Sequence, residues 1–359
     1  MIELGDKHNG QKNVFICKNN YIFKPRCIYW ECLFLSKNNS VLGDFLHKDH
    51  LLIENNLYPS WYKVMPSLQF KPSDINYNSG YIKYQSLRKI EHPLDNEYYW
   101  ESFGAVIGML AMFGVTDLHF ENILFGKDSE NKIIFGAIDI ECIFNKIILL
   151  SQTHLLPSKI NDAKECGLID LKRVFDLNPI GKNIAALIFG YISFFEKFEK
   201  KFCNFFFHDK YILNYPIRVI LQSTKNYKTT LLNNKFLDKK FNKYELEQLL
   251  RNDIPYFFRF LNSIDIYYYD INNMHPIVTD IKLTGRMEDV NKYLIPSIES
   301  YNSIKERNVN LSKIGALQLV KFFMNREING EYSYKNLKFY TNSNLIKINN
   351  NYINWFSSW

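Results

Sequence analysis

The amino-acid sequence predicts an α+β protein in which a small strand-rich lobe, residues 1–113, precedes a larger and mainly helical lobe, residues 114–359. Three observations lead there. Two β-hairpin patterns fall between Val14 and Ile138. Beyond them, apolar residues recur mostly with the 3.6 period of helices. Finally, 47% of the 359 residues are apolar and 23% charged, ample for a buried core, and no proline-, glycine- or serine-rich stretch marks a linker. The two lobes are therefore expected to form one unit.

Val14-Phe15-Ile16 and Tyr21-Ile22-Phe23 flank the turn residues Lys18-Asn19-Asn20, which predicts a hairpin whose second strand ends at Lys24. From Tyr98 to Phe113, Phe103, Val106, Ile107, Leu110 and Met112 recur at helical spacing, while Gly104, Ala105, Gly108 and Ala111 permit close packing. A buried helix should therefore lead into a loop near Gly114. Ile123-Leu124-Phe125 and Ile133 to Ile138, separated by Lys127-Asp128-Ser129-Glu130-Asn131, predict a second hairpin that delivers Asp139 at its far end. Ile184 to Phe198, Tyr244 to Leu250, Val290 to Tyr301 and Ile314 to Phe323 each read as helix.

Composition narrows the function classes. A formal net charge of +7 and a pI near 8.8 favour acidic partners such as nucleotide phosphates or an acidic peptide leader. Nucleic acid is not expected, because the excess lysines are scattered, as in Lys235-Phe236-Leu237-Asp238-Lys239-Lys240, rather than gathered in an arginine-rich patch. The six cysteines show no Cys-x-x-Cys pair and no Cys-His zinc spacing, which suits reduced thiols in a cytoplasm. Met1-Ile2-Glu3-Leu4-Gly5-Asp6 lacks the character of a signal peptide, and no apolar run is long enough for a membrane span. A cytoplasmic location is expected.

The chemistry concentrates in Thr116-Asp117-Leu118-His119-Phe120-Glu121-Asn122, followed seventeen positions after Asn122 by Asp139. An aspartate, an asparagine five residues on, a hairpin and a second aspartate form the arrangement by which kinases position a hydroxyl and bind Mg²⁺. Asp117 can orient the attacking hydroxyl and accept its proton, while Asn122 and Asp139 offer the hard oxygen ligands that Mg²⁺ prefers. Alone, Asp117 and Asn122 would read as turn or cap residues; between a helix and a hairpin they favour a protein- or lipid-kinase-like two-lobed fold that binds ATP. Gly5 and Gly10 bracket a possible phosphate-covering turn, weak evidence by itself, and Lys24 at a strand end is suited to hold nucleotide phosphates.

In order along the chain, Gly5-Asp6-Lys7-His8-Asn9-Gly10, Lys24-Pro25-Arg26, Tyr98-Tyr99, Thr116 to Asn122, Ile138-Asp139-Ile140-Glu141, Leu155-Leu156-Pro157, Arg218 to Tyr227 and Asp253-Ile254-Pro255-Tyr256-Phe257 resemble the dehydratase domain of class II lanthipeptide synthetases. That resemblance implies an enzyme that uses ATP and Mg²⁺ to phosphorylate Ser and Thr of a precursor peptide and then eliminates phosphate, leaving dehydroalanine or dehydrobutyrine. It assigns Lys24, Asp117, His119, Asn122 and Asp139 to phosphorylation, and Arg218 and Thr224, six residues apart, to elimination. Asp6 and His8 match further active-site positions. Taken alone, Arg218 would read as a surface residue of an ordinary helix.

Three departures from the family's pattern stand out. Met1 lies almost directly before the first motif, so the helical segment that usually precedes it is expected to be missing. Nothing after Phe257 resembles the zinc cyclase domain and no Trp-Cys-His-Gly occurs, so ring closure would fall to a separate cyclase or helper protein. Gln222 stands where the family commonly carries a second arginine. Two alternatives stay open: a Ser/Thr kinase without elimination activity, and a degenerate kinase-like binding protein.

Overall fold

The computed structural model describes residues 2–8, 12–17, 20–36, 64–159, 163–233, 241–271, 275–282, 292–324, 328–349 and 351–354. Among these, seven helices accompany several small antiparallel sheets in a mixed α/β arrangement.

The first sheet has strand order β1-β2-β3-β5-β4, from β1 (Ile2–His8), β2 (Lys12–Ile16), β3 (Tyr21–Lys24), β4 (Phe70–Pro72) and β5 (Gly80–Lys83). The expected hairpin is β2 and β3, in register Phe15↔Phe23 and Ile16↔Ile22, and Lys24 ends β3 as read. Between β3 and β4 runs α1 (Tyr29–Leu35), almost wholly buried. The glycine-bracketed turn is different. Gly5, Asp6, Lys7 and His8 belong to β1, with His8 opposite Lys12, while Gly10 lies outside the described residues.

Helix α2 (Glu97–Met112) is capped by Asn96, whose side chain accepts the Tyr98 N–H, and its interior is buried from Ser102 to Met112. It packs on α4 (Gly181–His208) through small residues: a Cβ on Gly104 would collide with the Leu187 carbonyl, and one on Gly190 with the Glu101 carbonyl. The backbones therefore approach closely, as the small residues had implied. Gly114, at φ +60, then turns the chain out of α2, a conformation that costs glycine little.

The second hairpin forms from β6 (Ile123–Lys127) and β7 (Ile133–Ala137), and Asp128 Oδ1 stabilises its turn by accepting the N–H groups of Glu130 and Lys132, each at 2.9 Å. After the short α3 (Ile169–Asp176) and the long α4, however, the chain is not mainly helical. Strands β8 (Ile217–Val219), β9 (Phe257–Arg259), β10 (Asp265–Tyr269) and β11 (Pro276–Lys282) make a sheet that shares this region with α5 (Thr224–Asn233) and α6 (Lys243–Leu250). A meander of β12 (Glu331–Tyr334), β13 (Leu337–Tyr340), β14 (Leu345–Ile348) and β15 (Asn351–Asn354) closes the described chain. Three-residue strands such as β8 and β9 are too short to show period-2 alternation. The meander does show it, since Leu337, Phe339, Ile346 and Ile348 are all buried at alternate positions.

One expected helix is corrected. Residues 292–300 are turns and extended chain, and α7 begins only at Tyr301, running to Phe323 with Ser300 as its cap. Pro296 lacks the N–H a helix interior needs, and Leu294 and Ile295 are buried without it. No helix among the described residues is long and apolar enough to cross a membrane.

Candidate active site

The loop after Gly114 is tied down strand-fashion on both sides. The Thr116 N–H donates to Cys142 O, Leu118 N–H to Thr153 O, and Phe120 N–H to Glu165 O, at 2.9–3.0 Å. This leaves Asp117 at φ 63, the left-handed region, while its neighbour Leu118 is buried. Asn122 ends a single 3₁₀ turn from Phe120, and its carbonyl accepts the Ile138 N–H at 2.8 Å, which locks the loop to the end of β7. One residue further, Asp139 is also left-handed, at φ 62. Aspartate enters this region more readily than most non-glycine residues.

Asp117, His119 and Asn122 form one group. The Asn122 Nδ2 donates to the Asp117 carbonyl at 2.8 Å and lies 3.2 Å from His119 Nε2. That leaves Oδ1 as the Asn122 atom suited to a cation. Asp117 also faces His154, with 3.9 Å between its Oδ1 and the imidazole Nδ1. Burial raises the Asp117 carboxyl above its ordinary range, Arg218, His119 and His154 pull it back, and Glu141 adds to the rise.

Beside this group lies an ion network that the sequence reading did not foresee as a whole. Lys24 Nζ sits 2.6 Å from Glu31 Oε1, on α1, and also pairs with Asp139. Arg26 pairs with Asp139 too, and reaches Glu141 at 3.1 Å and Glu31 at 3.4 Å. Glu141 in turn binds Arg218, and Tyr256 Oη lies 3.4 Å from its second oxygen. Arg218 stands over the Tyr256 ring, 5.3 Å from the centroid. Three cations, Lys24, Arg26 and Arg218, thus face three carboxylates, Glu31, Asp139 and Glu141. Burial opposes ionisation of Asp139, but Arg26 and Lys24 outweigh it and hold the carboxyl well below its ordinary range. Burial likewise disfavours the charge on Arg26, which Asp139, Glu141 and Glu31 more than restore.

The structure therefore brings Lys24 and Asp139 into direct contact and joins Asp117, His119 and Asn122 in a second group. Arg218 enters through Glu141, and it lies on strand β8 with a mostly buried side chain, not on a helix surface. Its backbone N–H is also held by the Glu141 carbonyl, at 3.0 Å. Thr224 opens α5, half-buried, with no side-chain hydrogen bond among the described residues. The backbone of β1 carries Gly5, Asp6 and His8, and is tied to the Asp253-to-Phe257 motif by the Ile254 N–H donating to Lys7 O at 2.8 Å. The side chains of Asp6 and His8 lie outside the described set.

Arg26, Glu31, Glu141 and Tyr256 were missed as site residues. A signal existed for the two glutamates: each interrupts an apolar run, Trp30-Glu31-Cys32-Leu33 and Ile140-Glu141-Cys142-Ile143, and a charge there is buried only with a partner. Two cavities adjoin the site. One, of about 950 Å³, reaches Arg26 and is lined by Phe15, Phe23, Tyr215 and Tyr269. The other, of about 150 Å³, lies between His119 and His154. Asp139 and Asn122 carry the hard oxygen donors that an open Mg²⁺ site would use, although Asp139 Oδ1 already takes Lys24 and Arg26; among the described residues no cluster of three or more His, Cys, Asp or Glu forms a closed metal cage.

No family model matches the chain. The lacticin 481/lactococcin biosynthesis protein LcnDR2 of Lactococcus lactis subsp. lactis is 24% identical over 170 residues, a stretch covering 44% of this chain and 16% of that protein.

Proposed function

We propose that this chain is an ATP-dependent peptide dehydratase of lanthipeptide-type biosynthesis: it phosphorylates Ser or Thr of a ribosomal precursor peptide and then eliminates the phosphate. The observation that carries the reading is the convergence of Lys24, Asp139 and Arg218 on one ion network beside Asp117 and Asn122. The similarity to a lacticin 481/lactococcin biosynthesis protein supports a peptide as the substrate. Residues 1–113 and 114–359 are proposed as the two lobes of one kinase-like unit, acting in the cytoplasm.

In this reading Lys24, steadied by Glu31 as the strand lysine of kinases is steadied by a helix glutamate, holds the nucleotide phosphates. Asp117 orients the peptide hydroxyl and accepts its proton, for which its raised affinity for protons suits it. His119 holds Asn122 in place, and Asn122 and Asp139 would hold Mg²⁺. When bound, that ion would offset charge on the transferring phosphoryl group. For elimination, Arg218 presents its forked donors to the phosphate, Glu141 and Tyr256 fix its orientation, and Thr224 acts from the start of α5. Asp6 and His8 are assigned to the site from β1.

The test is to incubate the protein with ATP, Mg²⁺ and the Ser- and Thr-containing precursor peptides encoded in the same genome, and to weigh the products. Loss of one water per modified residue is expected. One observation favours the runner-up, a kinase without elimination: Gln222 spends its amide on Glu245 at 3.2 Å and supplies no second cation. Phosphopeptide as the only product would establish that reading instead.

A further inference from the structure

Elimination needs a base for the α-proton, and Lys24, Arg26 and Arg218 are each engaged in ion pairs with the carboxylates of the network. We infer that His154 is that base, a role resting on the dehydratase reading above.

Two independent observations carry the inference. The first is position. The imidazole of His154 stands with Nδ1 3.9 Å from Asp117 Oδ1, and together with His119 it lines the cavity of about 150 Å³. A peptide Ser or Thr whose hydroxyl is oriented by Asp117 has its Cα one bond from the oxygen-bearing carbon, which brings its α-hydrogen close to the side chains flanking Asp117, His154 among them. The second is backbone conformation. His154 sits at φ 69, as the left-handed residue closing the 3₁₀ turn Leu150–Thr153. Glycine takes that conformation without penalty, and nothing in the turn calls for a bulky side chain. A histidine there bears strain that glycine would not, and what the strain achieves is an imidazole aimed at Asp117.

The surrounding chain holds it there. Thr153 is fully buried and donates to the Leu150 carbonyl at 2.7 Å, while its own carbonyl accepts the Leu118 N–H at 2.9 Å. The His154 carbonyl accepts the Gly167 N–H at 2.9 Å. The imidazole itself remains largely exposed at the cavity mouth, where a substrate can meet it.

The step balances without a further reactant. The Cα–H bond breaks and its proton passes to the imidazole. The electron pair left behind forms the Cα=Cβ bond, and the Cβ–O bond breaks with its pair leaving on phosphate, toward Arg218. The neighbouring Asp117 carboxylate stabilises the imidazolium so formed, and water later takes the proton away.

The test uses the precursor peptide that the dehydration assay identifies, synthesised with phosphoserine at one modified position and given to the full chain with ADP and Mg²⁺. Wild-type protein should release phosphate. His154→Gly, which removes the strain, and His154→Asn, which tolerates the left-handed backbone but cannot act as a base, should each slow release about 100-fold or more. His154→Gly should also melt higher than wild type, so that its slowness is not a folding defect, and added imidazole should restore part of its rate. Release by both variants at the wild-type rate would overturn the inference while leaving the dehydratase reading standing. No release by the wild-type protein would remove that reading and the inference with it.

Discussion

The two halves of the site are built on opposite electrostatic plans. Around Asp139, every carboxylate is matched by a cation, and the network of Lys24, Arg26, Arg218, Glu31, Asp139 and Glu141 is closed on itself. Around Asp117, a half-buried carboxylate is left with two imidazoles that line a cavity and a guanidinium that acts on it from a distance. Burial opposes charge in both. It loses at Asp139, whose carboxyl is held well below its ordinary range, and wins at Asp117, whose carboxyl is raised. In the proposed reading, the first plan would keep charge in place for nucleotide phosphates and Mg²⁺, and the second would suit a group that takes up a proton. The same residue type in the same left-handed conformation thus shifts in opposite directions, and its neighbours decide which.

The largest effect should come from breaking the closed half. Asp139→Asn removes one of the three balancing carboxylates and is expected to lower phosphorylation by about 1,000-fold or more, read as ADP formation with peptide present. Turnover near the wild-type rate would sink the assignment of Asp139. Next in size is Arg218→Ala, for which a 100- to 1,000-fold slower release of phosphate and an accumulation of phosphopeptide are expected. Glu141 keeps Arg26 and Tyr256, so the protein should still fold, with a stability loss of about 1–3 kcal/mol in denaturant titration.

Stability against pH sharpens the contrast, because the two aspartates should respond with opposite sign. Asp139 has a depressed folded-state value, so its stabilisation is present above the ordinary carboxylate range and is lost as pH falls through the depressed value. Asp139→Asn should therefore be less stable than wild type at neutral pH, with the gap closing in strong acid. Asp117 has a raised value, so its ionisation costs stability as pH rises through that value. Asp117→Asn should be at least as stable as wild type at neutral pH, with no gain in acid. Thermal melts across pH that move both variants in the same direction would refute the contrast. The smallest effect expected is that of Thr224→Ala, under about 10-fold on release, since its hydroxyl has no bond to the network among the described residues.

What could be read from the sequence was local. Both hairpins, the buried helix with its glycines and the spacing from Asp117 to Asn122 depend on neighbours a few residues apart, and each stands where it was read. The network was not legible because its pairs are distant in sequence: Arg26 meets Glu141, and Glu141 meets Tyr256, each 115 residues away. Only the buried glutamates hinted at partners, without naming them. That Arg218 lies on a strand was not legible because three residues show no period to detect, and the segment from Val290 misled because apolar spacing outvoted Pro296. At Asp6 and His8 the resemblance to a family went further than the described side chains do.

The central claim is tested most directly by a time course of the wild-type protein with ATP, Mg²⁺ and precursor peptide, followed by peptide mass and ADP together. Phosphopeptide should rise first and then give way to dehydrated peptide, with one ADP formed for each water lost. Dehydration that proceeds without ATP, or phosphopeptide that accumulates and never converts, would contradict the account.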